Sequence, residues 1–312
     1  MSKEMRNVFA EALAEQMTAD PRIVIVDSDL SKPNGTYPLR KQFGDRMFNV
    51  GVAEANMASF AAGLASYGYL PFITTFTPFA TRRICDQVAI SIVYAGQNVK
   101  IVGTDPGIAA ELNGGTHMSL EDVGIMRGLP GMVVFEPCDN EQLKQAIPQI
   151  VAYEGPMYIR LFRKITPAIF DESYQFDLFK ADVLREGEDV TLFATGIEVK
   201  PALDAAEMLR KVGIQAEVIN VHTIKPIDRE AVIASVKKTG AAVTCENHSI
   251  FNGLGSAVAE VTAEACPVPV LRIGAQDRFG EVGKLDYLFE AMEMSAAHIF
   301  EKARQAVALK SK

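Results

Sequence analysis

The sequence lacks the features that mark secreted, zinc-binding and membrane-spanning proteins. Its 312 residues include only four cysteines, which stand far apart and form no CxxC motif. That usage indicates reduced, buried thiols rather than disulfides or a zinc site. No apolar stretch is long enough to cross a membrane, and the amino terminus lacks the continuous apolar core of a signal peptide. We therefore expect a soluble, cytoplasmic protein.

Positive charge is also in deficit. Lysine and arginine number 31 against 39 acidic residues, which gives a net charge of -8 at pH 7. Such a protein repels phosphate backbones and anionic lipid, so nucleic acids and membrane surfaces are disfavoured as partners. A local pair of arginines can still bind a small anionic metabolite. Hydrophobic residues make up 48% of the chain, enough for a sizeable packed core.

Short β-type runs alternate with helical patterns along the chain, which predicts α/β domains with parallel sheets flanked by helices. Apolar runs of strand length occupy residues 23–26, 99–102 and 132–135. Helical patterns are predicted at 54–67, 80–94 and 139–152. Asp139 is suited to cap the last of these helices, and Pro269 places a later strand at a sheet edge.

The alternation breaks once. Residues 166–187 combine proline, scattered aromatics and charges without a clear period, which is typical of a linker. We therefore predict two doubly wound α/β domains, at 1–165 and 188–312, joined by that segment.

Glu54 is the carboxylate that stands out in the first domain. It opens a helical pattern of small and apolar residues, so we expect a helix buried on every face and a carboxylate without a partner. The simplest interpretation is that Glu54 complements the helix dipole. A buried carboxylate can also share a proton with a nitrogen heterocycle, which suits acid–base chemistry near neutral pH.

Two further segments carry candidate site residues. Phe76 and Phe79 are three apart near a helix start, where they pack in the core or form a slot for a flat heteroaromatic ring. Arg82 and Arg83 follow and are either solvated or bind an anion. His117 lies on a glycine-rich loop after a strand, a position where α/β sites gather, and it could exchange protons near neutral pH.

Arg160 lies near the end of an apolar strand. It can pair with a structural carboxylate or hold a phosphate through two hydrogen bonds, and spacing alone does not choose between the two.

The order of several motifs resembles the carboxyl-terminal half of transketolase, in the branch where that enzyme is split between two polypeptides. The resemblance spans essentially the whole chain and rests on the segments DSDLS, NVGVAEANM, TFTPFATRRICDQ, GGTHMSLEDVGIMRGLPGM, PMYIRLFR and ENHSIFNGLGSAVAE. It implies a pyrimidine-binding domain of the thiamine diphosphate fold followed by the transketolase carboxyl-terminal α/β domain.

The resemblance also implies roles for the candidate residues. Glu54 would protonate the aminopyrimidine ring of thiamine diphosphate and so drive ylid formation, while Phe76 and Phe79 would line the ring's pocket. His117 would act in proton transfer at the substrate oxygen, and Arg160 would hold the substrate's terminal anion. Asp29 would lie near the cofactor and the subunit interface.

A missing motif predicts a partner. The family binds the cofactor diphosphate through Mg²⁺ with a GDG motif, and this sequence contains no GDG. The resemblance therefore implies that no metal ligand comes from this chain. An amino-terminal transketolase subunit would supply the diphosphate-binding domain, in an α2β2 assembly.

The departures from the family fall on the substrate side. Asn113 replaces a usual aspartate, Asp105 a usual histidine, and Arg82 a residue that is small in many split forms. We expect Asn113, Asp105 and Arg82 to face a ketose other than a common pentose phosphate. Apulose 4-phosphate or a sulfonated ketose would fit.

Three alternatives share the architecture. One is the beta subunit of a 2-oxoacid dehydrogenase, and the second is a fragment like 1-deoxyxylulose 5-phosphate synthase. The third is a non-catalytic regulatory subunit that has kept the fold, against which the joint presence of Glu54, Phe76, Phe79 and His117 argues.

Overall fold

Two β-sheets organise residues 3–310, the part of the chain that the computed structural model describes. The strands of this part are β1 (Ile23–Asp27), β2 (Met47–Asn49), β3 (Leu70–Phe76), β4 (Lys100–Thr104), β5 (Val133–Phe135), β6 (Met157–Leu161), β7 (Asp182–Arg185), β8 (Val190–Ala194), β9 (Ala216–Asn220), β10 (Thr223–Lys225), β11 (Ala242–Ser249) and β12 (Val270–Ala275). The first sheet has the order β10-β5-β6-β4-β3-β1-β2, and the second has the order β12-β11-β8-β9-β7.

Helices cover both sheets. They are α1 (Met5–Ala19), α2 (Arg40–Phe43), α3 (Glu54–Ser66), α4 (Thr77–Ala80), α5 (Cys85–Gln87), α6 (Asp122–Arg127), α7 (Asn140–Ala152), α8 (Val199–Lys211), α9 (Arg229–Thr239), α10 (Leu254–Ala265), α11 (Leu285–Ala291) and α12 (Ala296–Leu309). Each sheet is mostly parallel, with β10 and β7 as the antiparallel edge strands. The predicted fold class of two α/β domains is confirmed.

The apolar runs of the sequence form the central strands because parallel sheets are buried on both faces. β1, β4 and β6 are buried along their whole length. The predicted cap is also confirmed, since the Asp139 side chain accepts a hydrogen bond from the Gln142 amide. β12, which follows Pro269, lies at the edge of the second sheet as expected.

The predicted helix at 80–94 is wrong in its continuity. The backbone of Thr81 leaves the helical region (φ −126°, ψ −88°) after α4, and its hydroxyl donates to the Thr77 carbonyl at 2.7 Å. Such a side-chain bond to the preceding turn competes with regular helix geometry. A 3-10 turn (Arg82–Ile84), α5 and a π-helical segment (Val88–Tyr94) follow.

Helix α3 differs from its prediction as well. One face packs into the core through Met57, Ala58 and Ala61. The opposite face is exposed, with Phe60 at 37% and Tyr67 at 87% exposure. The expectation of a helix buried on every face is therefore wrong, because small residues alone do not show which face has a neighbour.

The segment predicted as a linker, 166–187, contains no helix, and its last part forms strand β7, which pairs antiparallel with β9. The domain boundaries stay a prediction. Within residues 3–310, each helix is too short or too polar to traverse a lipid bilayer.

Three contacts join the domains. β10 follows the second domain's β9 in the chain but extends the first sheet by pairing with β5. The Asn247 side chain, at the end of β11, accepts from the Ile108 amide at 2.9 Å and donates to the Pro106 carbonyl at 2.9 Å. The Arg160 guanidinium donates to the Asn247 carbonyl at 2.6 Å.

A buried acid lies close to this junction. Glu198 is fully buried, and neither of its carboxylate oxygens has a hydrogen-bond partner among residues 3–310. Burial raises the pKa of Glu198 well above its ordinary value, and the charges of Glu136 and Glu246 raise it further. The folded protein therefore keeps a proton on Glu198 that the unfolded chain releases above about pH 4.5.

We predict that Glu198→Gln removes this pH dependence. Because the folded pKa is raised, the wild-type free energy of unfolding falls as pH rises above the unfolded pKa, by up to about 1.4 kcal/mol per pH unit. Glutamine has no proton to lose, so the variant gains relative stability with pH. Urea denaturation between about pH 5 and 7 measures the slope. Glu264→Gln, at a side chain 68% exposed, is the control, and an equal slope in both variants would contradict the prediction.

Candidate functional site

The carboxyl ends of three neighbouring strands, β3, β4 and β6, meet at one edge of the first sheet. Phe76 ends β3, Asp105 follows β4, and Arg163 follows β6. Open α/β sheets bind their ligands at this edge. The loop that carries His117 leaves from the same edge, so the sequence-predicted residues of the first domain converge here.

Glu54 begins α3, and its side chain is 6% exposed. The Arg83 Nη1 atom lies 3.4 Å from both carboxylate oxygens. The expectation that Glu54 has no partner is therefore wrong. The contact is long for a hydrogen bond, and the Arg83 side chain is half exposed. The carboxylate consequently keeps the capacity to accept a proton or a further donor.

The rings of Phe76, Phe79 and His117 form one aromatic cluster. The centroids of Phe76 and Phe79 are 6.2 Å apart, and His117 meets Phe76 at 6.0 Å and Phe79 at 5.3 Å in edge-on geometry. The Arg83 guanidinium lies 4.3 Å from the centroid of Phe79. Because Arg83 contacts both Phe79 and Glu54, it links the aromatic cluster to the buried carboxylate.

The imidazole of His117 is held through one of its nitrogens. Its Nδ1 atom lies 2.9 Å from the Thr116 hydroxyl. Its Nε2 atom has no hydrogen-bond partner in the described part of the chain, and the side chain is half-buried. An imidazole held through one nitrogen can exchange a proton through the other.

The loop bearing His117 is held at both ends. Gly107 has φ +53°, and a Cβ there would lie 2.1 Å from the Asn247 Oδ1 atom, so only glycine fits. At the other end Arg82 donates to the Thr116 carbonyl at 3.1 Å and to Glu121 at 2.7 Å. Asn113 is exposed between these anchors.

Arg163 is a site residue that the sequence-based analysis missed. Its guanidinium pairs with the Asp105 carboxylate and lies 4.9 Å from the centroid of Phe76. Asp105, expected to face the substrate as a free carboxylate, is 3% exposed and already engaged. The signal was present in PMYIRLFR, where a second arginine follows Arg160 three residues later.

Arg160 corrects the prediction that it holds a substrate anion. It is fully buried and donates to Asp122 at 2.7 Å and to Glu136 at 2.8 Å. Burial opposes ionisation of Asp122, but the Arg160 charge outweighs it and holds the pKa of Asp122 below its usual value. Burial raises the pKa of Glu136 to about 7 despite the same arginine. Arg160 is therefore a structural residue with its donors taken.

Asp29 lies apart from the aromatic cluster. It has φ +66°, and its carboxylate accepts from the Asn49 side chain at 3.0 Å. Together with Lys32, Tyr37 and Arg40 it lines a cavity of about 410 Å³. The structure therefore places Asp29 on an open surface rather than beside Glu54.

Both domains match known families. The family described as the transketolase pyrimidine binding domain matches residues 1–168, and the transketolase C-terminal domain matches residues 179–299. The 6-deoxy-6-sulfo-D-fructose transketolase subunit SqwH of Clostridium sp. (strain MSTE9) is 54% identical over 98% of this chain and 95% of its own. One of the two apulose-4-phosphate transketolase subunits of Phocaeicola vulgatus is 36% identical over 87% of each chain.

A solved structure is also similar. It is described as a split gene transketolase, inactive beta4 tetramer, with a TM-score of 0.91 and 41% identity. The match covers 99% of this chain and 100% of that one.

We predict that Arg160→Met lowers the free energy of unfolding by about 3–5 kcal/mol, because it leaves the carboxylates of Asp122 and Glu136 buried without their cation. Arg210→Met is the matched control, since Arg210 pairs with Glu207 at the surface and is 52% exposed. We expect it to change stability by less than about 0.5 kcal/mol. Denaturant titration of both variants measures the difference, and equal losses would contradict the structural role of Arg160.

Proposed function

The chain belongs to the transketolase family, and on that premise we propose that it supplies the pyrimidine-binding half of a transketolase active site. The enzyme would move a two-carbon ketol unit from an anionic ketose to an aldose. The observation that carries the proposal is Glu54, buried at the start of α3 and linked through Arg83 to the rings of Phe76, Phe79 and His117.

The residues of this chain fit one end of thiamine diphosphate. Phe76 and Phe79 are half-buried and present tilted ring faces, which suit a flat heteroaromatic ring. Glu54 would hold the pyrimidine and exchange a proton with its ring nitrogen. When bound, the cofactor supplies the carbon nucleophile that takes up the ketol unit.

The other end of the cofactor requires a second chain. In residues 3–310 no three His, Cys, Asp or Glu side chains cluster as metal ligands. The diphosphate and Mg²⁺ would therefore be held by a partner subunit that bears the diphosphate-binding domain.

The exposed face of α3 supports an interface with that partner. Phe60 and Tyr67 lie on the same helix as Glu54 or at its end, and Tyr94, at the end of the neighbouring π-helical segment, is 86% exposed. Exposed apolar surface of this kind marks protein contacts. We propose an α2β2 assembly with the partner and, as for the similar beta4 tetramer, an inactive self-assembled form without it.

On the substrate side we propose that His117 transfers a proton at the substrate oxygen through Nε2. Asn113 is neutral and can both donate and accept hydrogen bonds, so it would contact a sugar hydroxyl. Arg163, rather than Arg160, would meet the terminal anion of the ketose, because it is the cation against Phe76 that reaches the surface. Arg82 would contribute from the far side of the loop.

The first test of this function is reconstitution. We predict that the purified chain, with thiamine diphosphate and Mg²⁺, shows no ketol transfer alone and becomes active when mixed with its partner subunit. In a panel of donors, xylulose 5-phosphate should have a lower kcat/KM than a branched or sulfonated ketose, because Asp105 and Asn113 depart from the usual pattern. Turnover by the isolated chain would contradict the split site, and a clear lead for xylulose 5-phosphate would contradict the substrate proposal.

A second test addresses Glu54. We predict that Glu54→Gln lowers kcat of the reconstituted enzyme by about 10²- to 10⁴-fold, because glutamine keeps the shape but cannot transfer a proton. Glu230→Gln is the control: Glu230 also lies in the first turn of a helix, with a side chain 89% exposed. It reports the effect of the helix dipole alone. A loss at Glu54 no larger than the loss at Glu230 would return Glu54 to a purely structural role.

A further inference from the structure

The Asp105–Arg163 pair stands at the carboxyl ends of β4 and β6, which are neighbours in the first sheet. Asp105 accepts from the Arg163 amide at 3.3 Å and from the Nε and Nη2 groups of its guanidinium. The side chain of Asp105 is 3% exposed, whereas that of Arg163 is 13% exposed. The carboxylate thus lies behind the guanidinium, away from the open side of the site.

The guanidinium keeps part of its binding capacity. Arginine has five N–H groups; two of those of Arg163 serve Asp105, and one on Nη1 donates to the Pro33 carbonyl at 3.2 Å. One N–H therefore remains on each terminal nitrogen, beside the Phe76 ring. An anion that approaches these groups meets Arg163 first and the charge of Asp105 immediately behind it.

Other cations around the site are neutralised in the same way. Each of three further basic side chains lies within ion-pair distance of a carboxylate; the pairs are Arg82–Glu121, Arg83–Glu54 and Lys164–Glu111. The positive charge near the aromatic cluster is consequently balanced one for one. A dianion gains less from such a site than from unpaired arginines, since each paired carboxylate repels its second charge.

We propose that Asp105 makes this site select a ketose with a terminal sulfonate over one with a terminal phosphate; this inference rests on the proposed transketolase function. The paired Arg163 donates hydrogen bonds to the oxygens of the terminal group. Asp105 cancels its net charge, so that a group with a single negative charge binds and a second charge is repelled.

The two terminal groups differ in charge more than in shape. A phosphate monoester carries a charge of about −1.5 to −2 near neutral pH, whereas a sulfonate or sulfate ester carries a single charge. Both present three oxygens to a donor. Asp105 therefore discriminates through electrostatics, and the hydrogen-bonding geometry of Arg163 serves either ligand.

The first arm of the test uses the wild-type protein reconstituted with its partner. Fructose 6-sulfate and fructose 6-phosphate have the same length and bridging oxygen and differ in charge. We expect kcat/KM to favour the sulfate by about tenfold or more. Calorimetry with glucitol 6-sulfate and glucitol 6-phosphate, which lack the reactive carbonyl, should give the same preference in Kd. A preference for the phosphate ligands would overturn the proposal.

The second arm changes the charge behind the arginine. Asp105→Asn keeps an oxygen for Arg163, and asparagine tolerates the positive φ of this position (+52°). We expect the sulfate-to-phosphate ratio to fall by about tenfold in both kcat/KM and Kd. Glu121→Gln is the matched control, because it frees Arg82 of its carboxylate in the same way but away from Asp105; its ratio should stay near the wild-type value.

These arms separate the role of Asp105 from the proposed function. An unchanged ratio in Asp105→Asn, or an equal change in Glu121→Gln, would overturn the role of Asp105. If no donor is turned over by the wild-type complex, the proposed function fails. The calorimetric ratio then still decides whether Asp105 sets a charge preference.

Discussion

The guanidinium of Arg160 is the point at which the two domains and their buried charges meet. It donates to Asp122 and Glu136 of the first domain and to the Asn247 carbonyl of the second. Taking such groups out of water costs several kcal/mol per ion, which is offset only when every charge is paired and hydrogen-bonded. The Tyr158 hydroxyl, which donates to Asp122 at 2.7 Å, helps to meet that condition.

That junction places the loop on which the site depends. Asn247 is bound by Arg160 through its carbonyl and holds the backbone at Pro106 and Ile108 through its side chain. Asp105 lies just before this clamp and His117 beyond it. The second domain therefore contributes to the site through the position of the loop.

The sequence predicted the fold well because buried strands and capped helices leave local signals. The runs at β1 and β4 and the cap at Asp139 follow from burial and hydrogen bonding within a few residues. Arg160 could not be assigned in this way, since its partners lie 24 and more residues away along the chain. The exposed face of α3 was missed for a related reason: composition does not show where a neighbouring element is absent.

The proposed function makes this chain one half of a site that another chain completes. The most direct test is calorimetric titration of thiamine diphosphate with Mg²⁺ into this chain, into the partner subunit, and into their mixture. We expect the tightest binding in the mixture, and we expect it to weaken when Phe76 or Phe79 is replaced by alanine. Binding to this chain alone that matches the mixture would contradict the shared site.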